Sequence, residues 1–178
     1  MRTKEWASHY EEGSRCLSER RLTHAERALQ RAIRVASPVE LRLSLHMLGR
    51  VHIHRGRFDK AKAAFQRVLD THGQAEESIL SAYAHVGLGD VEHAQMRYEE
   101  AIPHYERAAA QLNSGAQDEL LAEVYANIGL CQAMLERLDD ATQSAEVARS
   151  IAISGDLPVK RQRAELVLAI VAQIRRQP

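Results

Sequence analysis

Four times along this chain a glycine is followed twelve residues later by an alanine: Gly13/Ala25, Gly49/Ala61, Gly89/Ala101 and Gly129/Ala141. Seven residues beyond each alanine stands another small or β-branched apolar residue, at Ala32, Val68, Ala108 and Ala148. Successive glycines are 36, 40 and 40 residues apart. Self-similarity at such a period marks a stacked repeat, in which each unit is too small to bury its own apolar face and uses its neighbours to do so. A stack of this kind presents extended surface, which favours binding over chemistry.

The repeating unit is helical. Apolar residues recur at steps of three and four, and no segment alternates as a half-buried strand would. In residues 58–69, Phe58, Ala61, Phe65, Val68 and Leu69 form one stripe, with Asp59, Lys60, Lys62, Gln66 and Arg67 opposite. Thr23 with Glu26, and Ser37 with Glu40, are spaced as capping boxes, and Pro38 suits a first helical position. Gly56 marks a tight turn, Gly73 and Gly155 are expected as left-handed C-terminal caps, and Pro158 opens the last helix. Pro103 falls early in a helix and removes one hydrogen bond there. The pattern predicts nine helices near 3–19, 23–36, 38–55, 58–72, 75–95, 98–113, 117–135, 138–153 and 158–176.

This paired pattern resembles the tetratricopeptide repeat. The second copy carries it best, with Leu45, Leu48 and Gly49 on the first helix, Gly56 in the turn, and Phe58, Ala61, Phe65 and Val68 on the second. The third has Leu88, Gly89, Tyr98, Ala101, Tyr105 and Ala108. The fourth has Tyr125, Ile128, Gly129, Leu138, Ala141 and Ala148, with Ala145 where an aromatic is usual. The first is degraded, with His9 and Glu12 at apolar positions, as a polar cap would be. The period of 40 is similar to a longer-helix subclass found in bacterial regulators and adaptors. The resemblance implies an all-α, right-handed superhelical solenoid in a single domain, 1–178. Its four helix pairs are expected at about 3–37, 38–73, 75–114 and 117–155, followed by a terminal helix at 158–176. Glycine on one helix is expected to face alanine on the next, so that the axes approach closely.

Composition limits the function. Net charge is zero, with 24 basic and 24 acidic side chains, so the whole chain has no bias toward nucleic acid. Residues 58–140 are acidic (6 basic, 15 acidic) and both ends are basic. Arg27, Arg31 and Arg34 share a helix face but lack flanking aromatics for base stacking, so no nucleic acid is expected. Arg outnumbers Lys 20 to 4, a bias expected of a GC-rich bacterial coding sequence. The N-terminus has no apolar leader segment and no run is long enough to span a bilayer. Cys16 and Cys131 lie three repeats apart, too far for a disulfide, and two free thiols fit the cytoplasm.

The histidines lack metal-ligand spacing. His52 and His54 lie roughly 200° apart around a helix, and His46/His54 and His85/His93 are each about 12 Å apart along one. Neither metal nor cofactor is expected. No phosphate loop or nucleophile elbow is present, so the chain is expected not to be an enzyme.

Family geometry implies that first helices line a groove. Residues beside each key glycine project into it: Tyr10, Ser14, His46, Met47, Arg50, His54, Tyr83, Asp90, His93 and Asn127, with Met134 beyond. The family's carboxylate clamp uses Lys and Asn at several such positions, where this chain has only Arg50 and Asn127, so that clamp is not expected. The last helix wraps apolar residues around more than one face. Leu166, Leu168 and Val171 are therefore expected at a contact surface for self-association or a partner. The expected function is a cytoplasmic, non-catalytic adaptor or scaffold for a peptide or protein. The second reading is a ligand-sensing module of a bacterial signalling or transcription system.

Overall fold

A computed structural model describes residues 2–71, 77–112 and 117–176. Its helices are α1 (Arg2–Ser18), α2 (Leu22–Val35), α3 (Pro38–His54), α4 (Phe58–Asp70), α5 (Glu77–Ala94), α6 (Tyr98–Gln111), α7 (Asp118–Met134), α8 (Leu138–Ser154) and α9 (Pro158–Ile174). Among the described residues there is no strand. The chain forms two compact units, Met1–Val91 and Glu92–Pro178.

One turn recurs through both units. A residue in the left-handed region follows α1, α3, α5, α7 and α8: Arg20, Gly56, Met96, Glu136 and Asp156, with φ between 50° and 65°. The next residue sends its N–H back five positions. Arg21 donates to the Cys16 carbonyl (2.8 Å), Arg57 to His52 (2.9 Å), Arg97 to Glu92 (2.9 Å), Arg137 to Gln132 (2.9 Å) and Leu157 to Ala152 (2.8 Å). This is a Schellman closure, and it satisfies carbonyls that a helix end leaves open. Gly155 is therefore not the left-handed cap. Its φ is −87°, and Asp156 takes that role because the closure places the positive φ one residue later. Gly73 lies outside the described residues.

The same turn displaces the expected Thr23 capping box. Arg21 is the N-cap of α2 and the helix starts at Leu22, so Thr23 is already inside the first turn. The second box does form. The Glu40 carboxylate accepts from the Ser37 backbone N–H at 2.7 Å, with Pro38 opening α3. Ser37→Ala is expected to lower stability by about 1 kcal/mol, read as a shift in the urea midpoint. An unchanged midpoint would show that Glu40 alone holds the helix start. Pro103 is accommodated within α6, which runs on to Gln111.

The small residues do their expected work with one change of partner. Ala25, Ala61, Ala101 and Ala141 are all fully buried. Gly13 and Gly49, however, meet the large residue four positions after the alanine, Leu29 and Phe65. A Cβ on Gly49 would fall 2.6 Å from the ring of Phe65, and one on Gly87 2.4 Å from the same ring. Phe65 is thus clasped between α3 and α5 and is 0% exposed. In the fourth repeat the corresponding position holds only Ala145. There the neighbours of a Gly129 Cβ are the Ala141 carbonyl (3.1 Å), the Ala145 nitrogen (3.3 Å) and Cγ1 of Val167 on α9 (3.3 Å). Both cysteines are free and buried.

Candidate functional site

In the first unit, three first helices bring the expected groove residues together. On α1, Trp6 and Tyr10 stack with centroids 5.0 Å apart. Trp6 also donates its indole N–H to Ser44 Oγ on α3 at 2.9 Å, which fixes the stack against the second repeat. On α3, the His46 ring lies 5.7 Å from Phe65 and 5.3 Å from Tyr83 of α5. Burial pushes the Tyr10 hydroxyl upward; nearby Arg50 opposes this and Tyr83 adds to it. Tyr10, His46, Arg50 and Tyr83 therefore share one surface drawn from three successive first helices.

Beside it lies a cavity of ≈ 310 Å³ lined by Ser14, Leu17, Ser18, Arg20, Met47, Arg50 and His54. Four of these were expected in the groove. Met47 contributes from a largely buried position, packed with Cys16, Leu17 and Val51. Burial lowers the His54 imidazole, with Arg20 and Arg50 lowering it further. His46 is held down to about 4 by burial and then by Arg50. Asp90 is partly buried on α5.

In the second unit, His93 meets Tyr98 edge-on at 5.4 Å, and its imidazole is lowered by burial and then by Arg163. Asn127 is not an open groove residue. It is 4% exposed, and its Oδ1 accepts from Arg163 Nη2 at 2.6 Å. The guanidinium comes from α9, so the terminal helix covers this position. Val171 is corrected too: it is 3% exposed and packs with Ala133 and Ala141. Leu168 is partly buried and Leu166 is 60% exposed. Among the described residues no group of His, Cys, Asp and Glu is placed to hold a metal, and no helix is long and apolar enough to cross a membrane.

Two family models described as tetratricopeptide repeat match residues 44–71 and 80–154. The chain belongs to the tetratricopeptide repeat family. Its fold is accordingly an all-α helical repeat solenoid. No curated protein matches the sequence significantly. Among solved structures, the apo form of RapI is similar with a TM-score of 0.82 at 16% identity, covering 96% of this chain and 64% of that one. Pseudomonas aeruginosa PilF is similar at 0.67 and 19%, covering 97% and 77%. YrrB, a tetratricopeptide protein with an unusual peptide-binding site, is similar at 0.57 and 16%, covering 93% and 84%. This chain thus spans just under two thirds of RapI, and these likenesses bear on fold.

Within the tetratricopeptide frame, the residues missed from sequence are Trp6, Leu17, Ser18, Arg20 and Arg163. Trp6 had a signal, being the single tryptophan and one helical turn before Tyr10. Arg20 had another, because it occupies the turn position that Gly56 holds in the second repeat.

Proposed function

We propose that this tetratricopeptide chain is a non-catalytic, cytoplasmic adaptor that holds a peptide or partner-protein segment against its first-helix face. The observation that carries the reading is the convergence of Tyr10, His46, Arg50 and Tyr83 from α1, α3 and α5 beside a cavity. Rigid, amphipathic rings next to arginine are the side chains that supply most binding energy at protein interfaces. The reading is supported by YrrB, a protein of similar fold with an unusual peptide-binding site.

Trp6 gives a built-in reporter, since it is the single tryptophan and stacks on Tyr10. A partner recovered by affinity pull-down would be divided into peptides and titrated while tryptophan emission is followed. Tyr83→Ala combined with Asp90→Arg is expected to weaken binding by about tenfold or more, equal to about 1.4 kcal/mol, with helical circular dichroism retained. Unchanged affinity in that folded variant sinks the assignment of this face.

A further inference from the structure

Two buried polar side chains on α3 break the repeat. Arg42 stands seven residues before Gly49, and Ser44 five before it. At the same two offsets from Gly89 the chain has Ala82 and Ala84, and from Gly129 it has Ala122 and Val124, all of them buried. Apolar residues therefore satisfy the packing at both positions. The polar pair carries a desolvation cost that packing does not explain.

The two side chains reach opposite neighbours. The Ser44 hydroxyl donates to the Glu40 carbonyl of its own helix at 2.8 Å and accepts from the Trp6 indole of α1 at 2.9 Å. Arg42 donates from Nε to the Val68 carbonyl of α4 at 3.2 Å, and from Nη2 to Ser81 Oγ of α5 at 3.3 Å. The contacts are related by the repeat, since Trp6 stands seven residues before Gly13 as Arg42 does before Gly49. In each, a donor at that offset reaches a serine hydroxyl on the next first helix.

Capping gives Arg42 one structural reason, because Val68 lies in the last turn of α4, where carbonyls lack partners within the helix. That reason leaves the Ser81 bond unexplained, and the Trp6 bond with it. Both lie beside the proposed binding face. Trp6 is one turn before Tyr10 and stacks on it. Arg42 is one turn before His46, and Ser81 two residues before Tyr83. A directed hydrogen bond fixes register where apolar contact alone permits sliding. A face set before its ligand arrives avoids the ordering cost of binding.

We infer that Trp6 and Arg42 are positioning residues of this face: their bonds to Ser44 and Ser81 lock α1 and α5 to α3 in one register, which holds Tyr10, His46 and Tyr83 together in the free protein. The inference rests on the peptide-binding reading only for the use to which the preset face is put.

The test uses the full ¹³C,¹⁵N-labelled chain at pH 7, first without ligand. The His46 and Tyr83 rings, 5.3 Å apart, are expected to give a cross-ring nuclear Overhauser effect. Arg42→Met should weaken it and shift the signals of both rings. So should Ser81→Ala, which leaves the Val68 bond in place and carries the test if Arg42→Met does not fold. In the Arg42→Met background Ser81→Ala should add no further shift, and Ser81→Thr, which keeps the hydroxyl, should match wild type. Ser44→Ala should move the Trp6 indole N–H signal and its emission. Lowered thermal midpoints with wild-type ring signals overturn the inference and leave Arg42 a helix cap. A peptide of the pull-down partner is then titrated, and Arg42→Met and Ser81→Ala should each bind it about tenfold more weakly. If the rings move but all three proteins bind that peptide equally, the positioning role falls and the peptide reading stands. If the rings move and no such peptide binds the wild-type face, the locked register stands and the peptide reading falls.

Discussion

Phe65→Ala is expected to cost about 3–5 kcal/mol, the range for deleting a fully buried aromatic ring. The ring is 0% exposed and is met from both sides by Cβ-free positions, Gly49 and Gly87. Relaxation into the void is limited because two helix backbones, rather than flexible side chains, form its walls. Urea unfolding followed by circular dichroism would read the loss as a lower midpoint in the transition of the first unit. A cost under about 1 kcal/mol, typical of a collapsible or surface site, would show that the clasp is loose. Gly49→Ala should also destabilise by itself, by about 1–3 kcal/mol from overpacking. In the Phe65→Ala background it should cost little, since the ring it strikes is gone.

Lowering pH from 7 to about 4.5 should remove about 2–3 kcal/mol of stability through His46 alone, at 1.36 kcal/mol per pKa unit. The native imidazole titrates at about 4 because burial, and then Arg50, disfavour its charged form. In the unfolded chain it titrates near 6.5. Stability is therefore intact above pH 6.5 and falls as pH drops toward 4, because the unfolded chain takes up the proton first. The Nδ1 of His46 is buried and has no hydrogen-bond partner among the described residues, so no acceptor at that nitrogen stabilises the imidazolium. The measurement is the difference between wild type and His46→Leu across this range, which cancels the carboxylates and the other histidines. Parallel stability profiles for the two proteins would refute the assignment.

The helix pairs were legible because a glycine, a turn and an alanine recur in phase, and the helix limits that fall on described residues lie within about two residues of those expected, while the limits expected at 72, 75 and 113 lie outside the described residues. The proximity of Tyr10, His46, Arg50 and Tyr83 was legible because they lie on adjacent first helices. Placement was not legible where a distant element intervenes. Asn127 projects toward the groove on its own helix, yet Arg163 reaches it from α9 across 36 residues of sequence. Val171 belongs to an apolar surround that looks uniform in sequence, and only packing against Ala133 and Ala141 decides which side is core. The Thr23 box failed for a local reason, since the Arg-apolar step that starts α4, α6 and α8 at 57–58, 97–98 and 137–138 also starts α2 at 21–22, ahead of Thr23.

The contact between Val167 and the glycine region of the fourth repeat has a consequence for modularity. Repeats in a stack can be added or removed only as far as a neighbour still covers each apolar face. Here the bulk absent at Ala145 is made up from outside the repeat, by a side chain of α9. The fourth helix pair is thus chemically unfinished alone, and cutting the chain before Pro158 would not trim an accessory. It would open a hole in the repeat that remains, so the shortest autonomous C-terminal piece of this protein has to include its last helix.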